Sequence, residues 1–311
     1  MHPAFSILFF TTLAGSAQGL VVALALASLI GVPMAPGFLL NALFVAEVLL
    51  LAGLGASFMH LGQKMRAWRA VLMWRTSWMS REVIVLPAFI GLIGLWWLLE
   101  HAGVAARFGP LLPVLAILGA VVLWYCTAMI YACLRFIEEW AHPLTIVNFT
   151  LIGLASGLLL ACALAVLLGG GTDMVAANGT SALGVTIAAW ITRVIALRRN
   201  ACIRHKSTLQ SATGIQSPTL VQKSMGMSAG AFNTREFFHG ASHAAMKNAR
   251  IGFQLLAFAI PVLLMLWAIT SHATWPWVFA VMVQAPGLIA ERWVFFAQAK
   301  HPQNLYYQVV S

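Results

Sequence analysis

The densest set of residues able to do chemistry lies between positions 60 and 83, HLGQKMRAWRAVLMWRTSWMSREV. His60 and Glu82 bracket Lys64, Arg66, Arg69, Arg75 and Arg81, and Trp68, Trp74 and Trp78 are interleaved with those cations. A histidine titrates near neutral pH, and a carboxyl taken partly out of water holds its proton more tightly. Such a pair suits hydrogen bonding to a quinone carbonyl and moving its protons. A plainer reading stands beside it: Arg66, Arg69 and Arg81 bind lipid phosphate, the tryptophans form an interfacial belt, and His60 caps a helix end. Composition alone favours the plainer reading.

Other polar residues are sparser. Glu47 sits within an apolar run, where a charge is expensive and usually functional. Thirteen residues separate it from His60, about 220° of helical rotation, so the two face nearly opposite sides and no direct relay joins them. A neutral carboxylic acid bonded to a neighbouring helix is the better expectation for Glu47. Arg193, Glu291, Arg292, Tyr131, Arg135 and Asn148 fall near the same end of their apolar segments. They read first as structural pairs at helix ends, and second as the lining of a headgroup pocket. Transmembrane haem needs histidines well inside facing spans, whereas the histidines here lie at span ends or in loops, so no haem is expected. Cys126, Cys133, Cys162 and Cys202 form no Cys-x-x-Cys pair, and no metal site is expected in this chain.

These residues belong to a chain of 311 residues that is 61% hydrophobic and only 8% charged, with a mean hydropathy of +0.88. An ordinary soluble domain carries about 25% charged residues. The composition excludes a soluble enzyme, a disordered chain and a nucleic-acid binder. A bilayer core needs about 20 apolar residues per helix. Eight segments qualify, near 5–30, 38–60, 82–99, 110–133, 143–168, 174–197, 251–270 and 274–296. The expected fold is all-α, one polytopic membrane domain over 1–311 with eight transmembrane helices. Its extended polar stretch is the loop 198–250, too long for a turn and too short for a domain. The start, MHPAFSILFF, lacks the basic region of a signal peptide, and the first span is expected to be retained.

The net charge of +10 comes from 18 Lys and Arg against 8 Asp and Glu, and its location matters more than its size. The 61–81 and 198–250 connections are rich in Lys and Arg, Arg135 follows span four, and Lys300 lies in the tail. The opposite loops, near 31–37, 100–109, 169–173 and 271–273, carry Arg107 as their one basic residue. The positive-inside rule then places both termini, and the His60–Glu82 junction, in the cytoplasm, in a multi-pass protein of the cytoplasmic (inner) membrane.

HLGQKMRAWRA followed by SREV resembles the membrane anchor subunits of dimethyl sulfoxide reductase-type molybdoenzymes. The resemblance spans the chain: eight segments, His-Leu-Gly closing the second, Ser-x-Glu opening the third, and Glu-Arg near the end of the eighth. MHPAFSILFFTTLAGSAQGL, MIYACLRFIEEWAHPLTIVNF, TREFFHG and AERWVFF are most similar to one branch, the anchors of membrane-bound, cytoplasm-facing sulfite dehydrogenases. The resemblance implies an anchor without haem that exchanges electrons with quinone, either ubiquinone or menaquinone. It implies two partners on the cytoplasmic side: a ferredoxin-like iron–sulfur subunit, and a catalytic subunit holding molybdopterin. Iron–sulfur clusters and molybdenum would reside only in those partners. The family's quinol-binding histidine and glutamate fall on His60 and Glu82, its basic residue after HLG on Arg66, and Arg81 adjoins the site. The 198–250 loop is longer than in the dimethyl sulfoxide reductase anchors.

The reading from residues and resemblance is therefore a sulfite dehydrogenase anchor carrying the quinone half-reaction. The alternatives are an anchor for a sulfoxide or other oxyanion reductase that oxidises quinol, a secondary transporter, and a purely structural tether. The absence of an internal repeat and of mid-membrane charges other than Glu47 counts against the transporter.

Overall fold

The computed structural model describes residues 4–59, 61, 63–204, 207–221 and 242–301. It is all-α, and eight of its helical runs are long and apolar enough to cross a membrane. In chain order the first six are α1 (Phe5–Leu29), α2 (Phe38–Met59), α3 (Trp78–His101), α4 (Leu111–Ala132), α5 (Pro143–Leu167) and α6 (Thr172–Ala201). The short α7 (Leu209–Thr213) follows. The seventh run, Ala244–Ser271, joins α8 (His243–Gln254) through a π turn at Leu255–Ala259 to α9 (Ile260–Ser271). The last is α10 (Trp275–Ala297). A 3-10 helix at Lys64–Met73 lies between α2 and α3.

Three boundaries differ from the sequence expectation, each for a local reason. The third helix begins at Trp78, not 82. Ser77 caps it by accepting from the Ser80 N–H at 3.3 Å, and Arg81 turns back to the preceding loop rather than breaking the helix. The sixth extends to Ala201, because Arg198 and Arg199 sit favourably against the negative end of the helix dipole. The seventh run starts before 251: Ser242 caps α8, accepting from the Ala245 N–H at 3.2 Å. Of the long polar connection, 198–201 and 243–250 are thus helical, and 222–241 lies outside the described residues.

Helices α1 and α5 are the most buried and cross at the centre of the bundle. Their contact is made by Gly15 and Gly19 on one side and Gly153 and Gly157 on the other. A Cβ at Gly19 would overlap the Gly153 carbonyl, and one at Gly157 would overlap the Gly19 backbone. Small residues four apart let transmembrane backbones approach closely. Ser16 Oγ donates to Ser156 Oγ at 3.0 Å across the same crossing. On one side α1 packs on α2 and α4, with α3 against both α2 and α4. On the other, α5 packs on α6 and α10.

The π turn has an identifiable cause. Pro261 has no N–H to offer Ala257 four residues earlier, so the Ala257 carbonyl loses its helical partner. Gln284 of α10 donates to that carbonyl from Nε2 at 3.2 Å, and Gly287 lies so close that a Cβ would overlap the Ala257 backbone.

Candidate functional site

Glu82 lies in the second turn of α3 and is 7% exposed. The Thr127 hydroxyl on α4 donates to its Oε1. Ser80 and Cys126, close in sequence to the two partners, are buried as well. Trp78 meets Tyr125 edge-on at 5.3 Å between centroids, which fixes the start of α3 against the end of α4. The carboxyl is thus held from two helices and largely removed from water.

Arg81 is a positioning residue in this geometry. Its Nε donates to the Trp74 carbonyl at 2.9 Å and its Nη2 to the Arg75 carbonyl at 2.8 Å. Its guanidinium also stacks 4.0 Å over the Trp78 ring. One side chain therefore ties the end of the 61–77 connection to the first turn of α3. Arg66 is exposed on the 3-10 helix and, among the described residues, forms no ion pair with Glu82. His60 lies outside the described residues. Of the four residues singled out in the sequence, the structure places Arg81 and Glu82 at one helix start and Arg66 away on the connection.

The 3-10 helix Lys64–Met73 buries none of its residues. Met65 is 91% and Trp68 62% exposed, and Leu72, Met73 and Trp74 are exposed beside Arg66, Arg69 and Arg75. A segment this apolar and this basic is suited to being covered by lipid headgroups or by protein.

A second polar cluster lies near the same end of the bundle. Arg193 of α6 and Glu291 of α10 form an ion pair, Nε to Oε1 at 2.6 Å, with side chains 2% and 1% exposed. Arg292 Nε lies 3.2 Å from Glu291 Oε2, and its guanidinium sits 4.0 Å over the Phe149 ring. The three side chains carry two positive charges and one negative. Thr192 Oγ1 donates to Asn148 Oδ1 at 3.0 Å alongside. The default expectation of helix-end pairing is met for Arg193 and Glu291. Tyr131 is packed among Trp140, Phe149, Phe295 and Phe296.

Glu47 departs from expectation. It is half-buried beside Gly94 of α3, and its Oε2 finds no hydrogen-bond partner among the described residues. A glycine has no side chain to answer it, so the expected bond to a neighbouring helix is not formed.

Sequence reasoning missed Thr127 and the polar face of α1. Thr127 sits in WYCTAM, where a lone threonine in an apolar run carries no signal of its own. Gln18, in the middle of span one, was a visible anomaly.

An exposed, basic, amphiphilic segment precedes α3, whose second turn carries a buried carboxyl hydrogen-bonded to Thr127. Behind it stands an eight-span bundle, and among the described residues no group of three or more His, Cys, Asp or Glu could hold a metal ion. These features define a multi-pass membrane protein with a buried carboxyl at one end of its bundle. The family described as DMSO reductase anchor subunit (DmsC) matches residues 1–297, and the chain belongs to that family. It is also 46% identical over 328 aligned residues to a sulfite dehydrogenase subunit of Allochromatium vinosum, covering 100% of both chains.

Proposed function

We propose that the chain is the membrane anchor and quinone-interacting subunit of a three-subunit molybdenum and iron–sulfur oxidoreductase, a sulfite dehydrogenase that passes electrons to the quinone pool. Full-length similarity to a sulfite dehydrogenase subunit supports the assembly. The observation that carries the quinone site is the buried Glu82 carboxyl, held by Thr127 in the helix that follows the exposed basic segment. On this reading the basic face is cytoplasmic, in the inner membrane, with both termini on that side. The iron–sulfur subunit docks on Met65, Trp68 and Trp74, and the molybdopterin subunit lies beyond it.

The residues fit a quinone head. A carboxyl can give a proton to a carbonyl oxygen or take one back, and Thr127 fixes its orientation. His60 would hydrogen-bond the other quinone oxygen, and Glu82 would exchange the proton or orient the ring. Arg81 holds the end of the connection against the start of α3, and Arg66 would contribute positive charge from further along that connection. When bound, ubiquinone or menaquinone supplies two-electron, two-proton chemistry.

The test uses the purified complex. Molybdenum and iron should co-purify with the tagged chain. Replacing His60 by Ala or Glu82 by Gln should abolish quinone-coupled sulfite oxidation while leaving turnover with an artificial acceptor intact. Quinone-coupled turnover that survives both substitutions would place the quinone elsewhere.

A further inference from the structure

We propose that the cleft between α6 and α9, at the end of the bundle away from Glu82, holds one phospholipid, its phosphate at Thr172, His272 and Thr274 and one acyl chain lying down the cleft. The site is independent of the quinone reading.

Its position follows from chain direction. Glu82 lies near the start of α3 and successive spans alternate, so the end of α5, the start of α6, the end of α9 and the start of α10 all stand at the opposite face. There α6 packs chiefly on α5 and α9 chiefly on α10, and the two pairs part around a cavity of about 680 Å³. Sites for small ligands commonly enclose roughly 300–1,000 Å³.

The lining is sorted along its length. Val175, Ala176 and Ala268 make walls of short apolar side chains. The buried Trp277 ring closes the cavity against Gly179, where a Cβ would come within 2.8 Å of it. Thr172, His272 and Thr274 gather at the loop end. Thr180 adds a hydroxyl two turns further along α6, about 12 Å from Thr172, suited to a glycerol ester carbonyl. Among the described residues His272 is the one non-glycine with positive φ, at 54°. Glycine or asparagine takes that backbone more cheaply, and residues held in it against their preference cluster at ligand clamps. The turn ends α9 and brings the imidazole to the cavity, where an N–H can donate to a phosphate oxygen.

The occupant must be apolar along most of its length, accept hydrogen bonds at one end, and lie at the membrane surface. With 30 residues, roughly 45 Å, α6 outruns a hydrocarbon core of about 30 Å, so its ends stand among headgroups. Trp275, 61% exposed beside the polar end, belongs to the same interfacial level. A phospholipid meets all three demands. The described lining holds no Lys or Arg, and Asp173 is exposed next to Thr172, so the headgroup is zwitterionic, its ammonium facing Asp173.

The test uses the chain purified with the subunits that accompany it, in nanodiscs of phosphatidylglycerol. These contain a trace of phosphatidylethanolamine with a diazirine on one acyl chain. After illumination, peptide mass mapping should find the label on 172–180 and 268–277 at about tenfold or more the level on the lipid-facing residues Leu118, Val121 and Val122 of α4. Ala176→Phe fills the cleft with an apolar ring and should bring that label down to the α4 level. Thr172→Val combined with His272→Asn removes headgroup donors, and Asn suits the left-handed backbone. This double variant should lower the label about tenfold, as loss of charge-assisted hydrogen bonds does. Equal labelling of the cleft and α4 means bulk lipid only and overturns the site. So does cleft labelling that the double variant leaves unchanged, which decides the matter even where Ala176→Phe fails to assemble. Label that excess ubiquinone displaces and excess phosphatidylethanolamine does not would make the occupant a quinone, and the phospholipid assignment falls.

Discussion

The hydroxyl of Thr127 on α4 donates its hydrogen bond to the carboxyl of Glu82 on α3, joining residues 45 apart in sequence. Through this bond the exposed connection before α3 is coupled to the buried polar interior of the bundle. It also gives the Glu82 carboxyl a fixed orientation, which a carboxyl at an ordinary helix end lacks.

Thr127→Val keeps the shape of the side chain and removes that donor. Quinone-coupled turnover should fall by about tenfold or more, while Thr127→Ser should retain most of it. Steady-state rates with quinone and with an artificial acceptor, measured on the same preparation, check both outcomes.

The buried Arg193–Glu291–Arg292 cluster responds asymmetrically to substitution. Glu291→Leu leaves two buried guanidinium groups without their shared counter-charge and should cost about 3–5 kcal/mol. Arg193→Leu leaves the Glu291–Arg292 contact in place and should cost less. Thermal unfolding in detergent ranks the two variants, and equal losses would contradict the shared role of Glu291.

Gln284→Leu strips the Ala257 carbonyl of its donor and should destabilise the bundle by about 1–3 kcal/mol. Pro261→Ala restores a backbone N–H able to reach that carbonyl, so the double variant should recover part of the loss. A double-mutant cycle on melting temperature measures the recovery.

His142 introduces a pH dependence. Burial, with a smaller contribution from the Arg199 charge, lowers its imidazole below the ordinary value of 6.5. The fold therefore favours the neutral ring. The associated stability is complete above 6.5 and is lost as pH falls through the lower folded value. His142→Asn keeps a side chain able to cap α5 and removes the titration. Its melting temperature should fall less than the parent's on acidification from about pH 7 to about pH 5.

Much of the architecture was legible because membrane helices are written locally. Eight apolar runs, their approximate limits and the one-sided distribution of Lys and Arg follow from stretches of about 20 residues. The helix starts at 78 and 243 were not legible, because Arg81, Lys247 and Arg250 look like the ends of apolar spans. Arg81 instead folds back on carbonyls, and Ser77 and Ser242 cap the helices early.

The candidate site was legible only in part. Glu82 and Arg81 stood out because charge beside an apolar span is rare. Thr127 did not, because a threonine on an apolar helix acquires meaning only from what faces it.

The sequence by itself determined that the chain is an eight-span membrane subunit, since the bilayer acts on each segment independently through its length and hydrophobicity. It also carried the basic face and the family motifs around His60 and Glu82. Only the tertiary structure decided that Gly19 and Gly157 bring α1 and α5 into backbone contact, that Thr127 answers Glu82, and that Arg193 finds Glu291. The order in which helices pack depends on shape and polar pairing between distant segments, and hydropathy, equal on all sides of an apolar helix, is silent about both.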